Sequence, residues 1–209
     1  MTEAGARSQT LALAQSDEAE AKLDSFISAL IEENERQNLV ARATLPSMWA
    51  RHILDSAQLL AHVPHETSTW LDLGTGAGFP GLVIAILRSD WNVTLVESRT
   101  RRVEWLTQMV DRLGLTNVDV EGRRLETVPT KVFDVISARA FAPLAELLDL
   151  SARFSAATTC WVLPKGRSAG QEVNELRGWN HKFHVEQSLT DPEAGILVGQ
   201  LIGRKGTAA

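Results

Sequence analysis

The sequence predicts an α/β fold in which a mostly parallel sheet ends in an antiparallel hairpin and carries a small helical extension at its N-terminus. Three observations support this prediction. Short apolar runs alternate with amphipathic helical patterns from Thr69 onward, which is typical of consecutive strand–helix–strand units. A glycine-rich loop follows the first apolar run, and residues 182–203 have the pattern of a β-hairpin.

The size and composition of the chain fit one domain with an appendage. The chain has 209 residues, of which 44% are hydrophobic, enough for an ordinary core. Its longest apolar stretch, residues 82–87, is far shorter than the roughly 20 residues that cross a bilayer. The N-terminus lacks the apolar core of a secretory signal, and the single Cys160 has no partner for an internal disulfide or a thiolate metal site. We therefore expect a cytoplasmic protein with no membrane partner and no bound metal.

The N-terminal part is predicted to be helical after a disordered start. Residues 1–16 are polar and rich in alanine, and we expect them to be disordered. A helix is predicted to begin near Asp17, with Glu20 completing a capping box. A break is expected at residues 44–46, and a second helix from about Ser47 to His62. The apolar positions of the first helix follow the helical period and are Leu23, Phe26, Ile27, Leu30 and Ile31.

The rest of the chain is predicted to alternate between strands and helices. The strands are expected at residues 69–73, 92–97, 117–120, 133–137 and 159–163. The helices between them are expected at about 81–88, 99–113, 143–152 and 169–178. Gly114 is suited to end the second of these helices. The hairpin is predicted to pair His184–Gln187 with Ile196–Ile202. The chain then divides into a disordered terminus, a helical extension over residues 17–66 and a main domain over residues 67–209.

The loop after the first strand indicates a nucleoside-type cofactor. Gly74, Gly76 and Gly78 are spaced as G-x-G-x-G and follow Asp72 at the end of the strand. Glycines there allow a tight turn and a close approach of a ligand. A dinucleotide fingerprint needs G-x-G-x-x-G, and its sixth position is Phe79 here, so that pattern fails. The spacing fits a loop for S-adenosyl-L-methionine (SAM), which Asp72 and the three glycines are expected to contact; the alternative is a purely structural turn.

An acidic residue ends the second predicted strand. Glu97 lies 25 residues after Asp72, where a carboxylate can accept hydrogen bonds from both hydroxyls of a ribose. We therefore expect Glu97 to bind the ribose of the cofactor. A mostly parallel sheet that ends in a hairpin, combined with this loop and this acid, is the SAM-dependent methyltransferase variant of the Rossmann-like fold.

The distribution of charge along the chain is more informative about a nucleic-acid partner than the net charge. The formal net charge is −5, but eight acids and only two bases lie in residues 1–35, so the remainder carries a net charge of +1. The basic clusters in that remainder are Arg99-Arg101-Arg102, Arg123-Arg124, Lys165-Arg167 and Arg204-Lys205. They would form a phosphate-binding face if the fold brings them together, and otherwise they are solvated loop charges.

Five stretches of the chain together resemble one family, the bacterial small-subunit rRNA guanine-N7 methyltransferases, also called glucose-inhibited division protein B. The stretches are Asn38-Leu39, Arg51-His52-Ile53-Leu54-Asp55-Ser56, Gly74 to Gly81, Ser137-Ala138-Arg139-Ala140-Phe141-Ala142 and Leu163-Pro164-Lys165-Gly166. The resemblance covers about residues 20–200. It implies that SAM is the cofactor and that guanine 527 of 16S rRNA is methylated at N7. It also implies a small-ribosomal-subunit partner, no DNA partner and a monomer.

The resemblance also implies roles for individual residues. Gly74 and Phe79 would line the cofactor, and Leu125 and Glu126 would border its adenine. Arg139 would lie where the methionine end of the cofactor meets the RNA. Because Arg139 directly follows an apolar strand, it is expected to point into the ligand crevice, and we predict a catalytic role for it. The chain departs from the family pattern at two places, which are Glu97, where aspartate is expected, and Arg123-Arg124-Leu125-Glu126, where Arg-Ala-Glu is typical.

The RNA is expected to contact basic side chains and one histidine. The expected RNA-binding residues are Arg123, Arg124, Lys165, Arg167 and His52. His52, Asp55 and Ser56 share one face of the second helix, which leaves open a surface patch, a lid contact or a catalytic dyad.

Other functions remain open from the sequence. The enzyme alternative is a SAM methyltransferase that acts on a small molecule or a protein, which the acidic total charge favours. A SAM-sensing ribosome-binding factor without turnover is an alternative from another class. An NAD-dependent oxidoreductase is disfavoured because the dinucleotide fingerprint fails.

Overall fold

The computed structural model describes residues 1–206 and contains one eight-stranded sheet. Residues 207–209, the end of the predicted main domain, lie outside this range. The strands are β1 (Thr69–Leu73), β2 (Asn92–Val96), β3 (Val118–Glu121), β4 (Val135–Ala138), β5 (Cys160–Gly166), β6 (Trp179–His181), β7 (His184–Gln187) and β8 (Gly195–Arg204). Their order is β3-β2-β1-β4-β5-β8-β6. The first five strands are parallel, and β8 is antiparallel to β5, β6 and β7, so the predicted fold class is confirmed.

Seven α-helices accompany the sheet in the described part of the chain. They are α1 (Glu3–Leu11), α2 (Ala19–Glu33), α3 (Asp55–Ala57), α4 (Gly81–Leu87), α5 (Thr100–Leu113), α6 (Leu144–Ser151) and α7 (Ala169–Glu175). Short 3₁₀ helices occupy Arg42–Ser47, Gln58–His62, Leu125–Thr127 and Ala152–Phe154, and a π-helix occupies Trp49–Leu54. Within residues 1–206, every helix is too short or too polar to cross a membrane.

The prediction of disorder for residues 1–16 is wrong, because α1 lies in this segment. The Glu3 carboxylate accepts hydrogen bonds from the backbone N–H groups of Trp49 and Ala50, both at 2.9 Å. These N–H groups begin the π-helix and have no partner inside it, so the carboxylate caps that helix from α1. Arg7 forms ion pairs with Glu20 and Asp24 on α2. Contacts with distant parts of the chain therefore stabilise α1, although the composition of residues 1–16 alone predicts disorder.

The start of the next helix also differs from the prediction. The helix α2 begins at Ala19, and Glu20 forms no capping box. The backbone N–H of Glu18 donates instead to the Ser16 hydroxyl at 3.1 Å. The predicted second helix exists, but it passes from π-helix to α3 to 3₁₀ helix between Trp49 and His62.

The strands and helices of the main domain follow the sequence pattern. Each of the first five strands begins within two residues of its predicted start, and the predicted strand over residues 184–187 is β7. Gly114 ends α5 in a left-handed conformation with φ of 60°, as its position predicts. The three-residue β6, which pairs with β8 beyond the end of β7, was not predicted.

The two faces of the sheet belong to two hydrophobic clusters. Trp70 of β1 lies in the cluster that contains α2, α4 and α5, whereas Leu71 and Leu73 lie in the cluster that contains α6. This alternation follows from the period of two in a strand. The chain leaves β1 toward β2 and β3 and then returns to β4 on the other side of β1. A crevice is expected outside the carboxyl ends of the strands at such a switch point.

Candidate functional site

A crevice of about 620 Å³ lies at the carboxyl ends of β1, β2 and β4. Nine of the site residues that the sequence predicts line this crevice: Gly74, Gly76, Phe79, Glu97, Arg123, Arg124, Leu125, Glu126 and Arg139. Its volume is in the range of pockets that hold a ligand of nucleoside size. These nine residues, which were proposed from widely spaced positions in the sequence, therefore meet at one place.

Two glycines form the base of the crevice, and both need to be glycine. Gly74 and Gly76 have φ angles of 65° and 61°, in the left-handed region that residues with a Cβ rarely adopt. A Cβ on Gly74 would lie 2.4 Å from Cδ2 of Phe141, and a Cβ on Gly76 would lie 2.9 Å from Nη1 of Arg102. The loop thus brings bare backbone to the crevice surface.

Asp72 does not line the crevice, so the expected cofactor contact of this residue is corrected. Its side chain is fully buried on the same face of β1 as Trp70, opposite to the face of Leu71 and Leu73. It accepts hydrogen bonds from the hydroxyls of Thr75 and Ser137 and from the backbone N–H of Gly81. Burial raises the pKa of Asp72 to about 6, although these three donors oppose the shift. Asp72 therefore anchors the glycine loop from below.

Gly78 also lies away from the crevice, which corrects a second expected contact. Its φ is 109°, and a Cβ there would lie 2.5 Å from Cδ1 of Leu82 and 3.1 Å from Cζ of Phe26 on α2. The glycine is required because α2 and α4 pack closely against the loop at this point. Its role is in the packing of the loop against these two helices.

Glu97 lies at the crevice with its carboxylate held by the backbone. One oxygen accepts from the N–H of Gly76 at 3.1 Å, and the other accepts from the N–H groups of Ser98 and Arg99. Each carboxylate oxygen has about two acceptor positions, and three of the four are used, so one remains on Oε2 for a ligand hydroxyl. The glutamate in place of the family's aspartate is accommodated by these contacts.

Leu125 and Glu126 form one rim of the crevice. They belong to the 3₁₀ turn Leu125–Thr127 after β3, with Leu125 buried and Glu126 exposed. An apolar side chain beside an exposed carboxylate suits the flat face and the polar edge of a purine.

Arg139 is the first residue after β4 and extends into the crevice above Phe79. Its Cζ lies 4.9 Å from the centre of the Phe79 ring, a cation–π distance. An Nη1 atom lies 3.5 Å from a carboxylate oxygen of Asp55 and 3.5 Å from Nδ1 of His52. Burial lowers the pKa of Arg139, and the charges of Asp55 and Asp72 oppose that shift. The arginine thus presents a partly desolvated cation to the crevice.

His52 is buried beneath Arg139, so the prediction that it binds RNA is wrong. Its ring stacks on Phe79 with ring centres 5.0 Å apart, and its Nε2 lies 2.7 Å from the Thr44 hydroxyl. Burial, together with the positive charges of Arg139 and Arg51, lowers the pKa of His52 to about 4. The Ser56 hydroxyl donates to the backbone carbonyl of His52 and not to its imidazole ring, so the side chains of Ser56 and His52 do not form a catalytic dyad.

The basic clusters do not form one continuous face. Arg123 and Arg124 line the crevice. Lys165 does not face RNA as predicted, since its buried ammonium donates to the Ala142 carbonyl and pairs with Glu172. Arg167 is exposed and pairs with Glu193. The Arg204-Lys205 cluster lies at the end of β8, which runs antiparallel to β5, and is therefore at the opposite edge of the sheet.

Some residues that line the crevice were not assigned to a site from the sequence. They are Leu39, Arg99, Arg102, Phe141 and Leu150. The arginines belong to a basic cluster, and Phe141 belongs to the stretch that carries Arg139, so both offered a signal. Leu39 belongs to the stretch Asn38-Leu39, which contributes to the family resemblance, whereas nothing in the sequence marks Leu150, which only the packing of distant segments places here. In residues 1–206, no three His, Cys, Asp or Glu side chains are arranged as a metal site.

Comparison with known proteins gives consistent results for sequence and fold. The family model described as rRNA small subunit methyltransferase G matches residues 19–191. A protein named ribosomal RNA small subunit methyltransferase G from Erythrobacter litoralis is 60% identical over 180 residues, 86% of this chain and 87% of the relative. One of the same name from Novosphingobium aromaticivorans is 57% identical over 92% of this chain and 85% of its own length. The crystal structure of a SAM-dependent methyltransferase from Aquifex aeolicus, 18% identical, has a similar fold with a TM-score of 0.58, covering 75% of this chain and 93% of that one.

Proposed function

The chain belongs to the family of rRNA small subunit methyltransferase G, and on this premise we propose that it transfers the methyl group of SAM to N7 of a guanine in small-subunit rRNA. The target that the resemblance predicts is guanine 527 of the 16S rRNA. The reaction then takes place in the cytoplasm, on the rRNA or the small ribosomal subunit. The monomeric state that the resemblance implies is part of this proposal.

One observation carries the proposal. The switch point of the sheet brings the glycine loop, the Glu97 carboxylate and the Arg139 guanidinium to a single crevice, with Arg123 and Arg124 at its rim. This arrangement supports the proposal, because groups that suit a nucleoside-type cofactor lie directly beside cationic groups that suit an RNA phosphate or base.

The residues of the crevice fit SAM. Gly74 and Gly76 leave space that a Cβ would fill, and Glu97 keeps one acceptor position for a ribose hydroxyl. Leu125 and Glu126 would border the adenine, and the methionine end would extend toward Phe79 and Arg139. When bound, SAM supplies an electrophilic methyl group on a sulfonium.

Methylation of guanine N7 requires no proton transfer to the protein. Guanine N7 carries an in-plane lone pair and no proton, so the chain need not provide a general base. Its residues have to unstack the guanine from single-stranded RNA, orient N7 and exclude water. Alignment of this kind can supply roughly 7–11 kcal/mol of the barrier reduction. Arg139, which extends above Phe79, is the group that we assign to hold the guanine beside the cofactor.

The direct test uses labelled SAM and small ribosomal subunits from a strain that lacks this protein. We expect label in the rRNA at a single guanine, which chain cleavage at N7-methylguanosine then maps. Naked rRNA, small molecules and total protein serve as competing acceptors. Label that enters protein or a small molecule, with the rRNA unlabelled, would overturn the proposal.

The rate of methyl transfer is expected to depend little on pH. At saturating SAM and RNA, the single-turnover rate should be nearly flat from about pH 6.5 to 8.5, because N7 has no proton to lose. His52 has a pKa of about 4, so it is neutral throughout this range. His52→Ala should therefore keep the shape of the profile, even if the rate falls. A tenfold rise per pH unit in the parent protein would show that a base acts and that another acceptor atom is used.

The arginines at the rim are expected to contact RNA phosphates. Arg124→Gln should flatten the slope of log affinity against log salt concentration by about 0.7 to 0.9, the change for one lost phosphate contact. Lys131→Gln is the matched control, because Lys131 is exposed but precedes β4 at the opposite edge of the sheet. Binding of a labelled rRNA fragment over a range of salt concentrations measures both slopes. Equal slopes for the parent and Arg124→Gln would make Arg124 an ordinary solvated residue.

A further inference from the structure

The Arg139 side chain is held by two acceptors that come from the N-terminal extension. Asp55 and His52 both lie within 3.5 Å of Nη1 of Arg139, although they are more than 80 positions away in the chain. Both come from the helical stretch between Trp49 and His62. This stretch is packed against the glycine loop through the stacking of His52 on Phe79.

The hydrogen bonds around His52 define which ring nitrogen carries the proton. The Thr44 hydroxyl donates to the carbonyl of Ala41 at 2.7 Å, so its oxygen is available to accept from Nε2–H of His52. A guanidinium can only donate, so Nδ1 of His52 has to be the acceptor toward Arg139. The two requirements agree on a neutral ring protonated at Nε2. His52 is thus an acceptor for Arg139, with its orientation fixed from behind.

Asp55 is fixed in the same way from its other side. One carboxylate oxygen accepts from the Thr190 hydroxyl at 2.6 Å and from Nε2 of Gln58 at 2.9 Å, while the other faces Arg139. Gln58 in turn accepts from the backbone N–H of Leu189 at 2.7 Å. The loop between β7 and β8 therefore holds the carboxylate that holds the arginine.

We propose that Asp55, together with His52, is the positioning residue that directs the Arg139 guanidinium into the crevice; this inference rests on the proposed function. An arginine side chain has many rotamers, and a partly buried guanidinium needs a compensating charge. Asp55 supplies the charge and His52 a second acceptor, so the guanidinium is oriented before RNA arrives. Neither residue lines the crevice, and both act through Arg139.

The test is a double-mutant cycle with Asp55→Asn and Arg139→Ala. Asparagine keeps the shape and the acceptor for Thr190 but loses the charge that faces Arg139. We expect Asp55→Asn to lower the single-turnover rate at saturating SAM and small subunits about 10- to 100-fold, the cost of a misplaced group. In the Arg139→Ala background the same change should alter the residual rate less than about twofold, because residues that act as a unit are not additive. Asp55→Glu, which keeps the charge, should recover part of the rate.

Matched controls distinguish the loss of Arg139 positioning from a general loss of folding or stability. Asp149→Asn removes the acidic partner of another arginine, Arg204, away from the crevice, and should leave the rate unchanged. Thermal unfolding and SAM affinity by calorimetry report whether each variant is folded. A near-normal rate for folded Asp55→Asn, or an equal loss in both backgrounds, would overturn the inference. A parent protein that methylates no rRNA would instead overturn the proposed function.

Discussion

Replacement of Arg139 by alanine is expected to lower the rate of methyl transfer by about 10²- to 10³-fold at saturating SAM and small subunits. This is the usual cost of the loss of one preorganised donor in an active site. Arg139 is the first residue after β4, lies above Phe79 and is held by two acceptors behind it, so its donors are directed into the crevice. Single-turnover transfer of labelled methyl groups measures the effect.

The fold of Arg139→Ala should survive. Asp55 keeps its hydrogen bonds from Thr190 and Gln58, so its carboxylate is not left without partners. The matched control is Arg204→Ala, which removes an arginine that also pairs with a carboxylate and also lies over an aromatic ring, 4.5 Å from the centre of Trp179. We expect similar changes of melting temperature in the two variants and a large loss of rate only at Arg139. A near-parental rate for Arg139→Ala would restrict this residue to a structural role.

Replacement of Gly76 by valine is expected to weaken SAM binding at least about 100-fold, or roughly 3 kcal/mol. Gly76 has a φ of 61°, which a β-branched side chain adopts only under strain. The new Cβ would lie 2.9 Å from Nη1 of Arg102 and occupy space at the base of the crevice. The N–H of Gly76 also donates to Glu97, so a shift of the backbone would move the carboxylate assigned to the ribose.

The control for backbone strain is Gly114→Val. Gly114 has nearly the same φ, 60°, and among residues 1–206 no heavy atom outside its chain neighbours lies within 4 Å of the position of its Cβ. This variant should lose about 1–3 kcal/mol of stability and keep its affinity for SAM. Calorimetry gives the affinities, and circular dichroism shows whether each variant is folded. Unchanged SAM affinity in a folded Gly76→Val would remove the loop from the cofactor site.

Local patterns predicted the sheet and the base of the crevice well. The alternation of strands and helices, the spacing of Gly74 and Gly76 and the position of Arg139 at a strand end are all properties of short segments. The carboxyl ends of parallel strands meet at one edge of a sheet, so short segments suffice to predict which residues converge. The location of the crevice follows from the same rule.

The corrected residues depend on packing between distant segments. Asp72 lies in β1 and Gly78 in the glycine loop that follows, but the packing of α2 and α4 decides which of these residues face the crevice. Histidine is a residue type that can contact RNA, yet Phe79, Thr44 and Arg139 enclose the side chain of His52. Lys165 is held by Glu172, seven positions further along, after the chain turns into α7. None of these contacts has a periodicity that the sequence reveals.

The contact of the N-terminal extension with the β7–β8 loop sets a time order for assembly of the enzyme. Asp55 bonds to Thr190, which follows it by 135 positions. At about 5–20 residues per second of synthesis, the extension is made roughly 7–27 s before the loop that holds its carboxylate. A nascent chain has the glycine loop and Arg139 well before it has a fixed Asp55. If Asp55 orients Arg139 as we propose, synthesis of the β7–β8 loop completes the site, and chains that end before it would lack a fixed partner for this arginine.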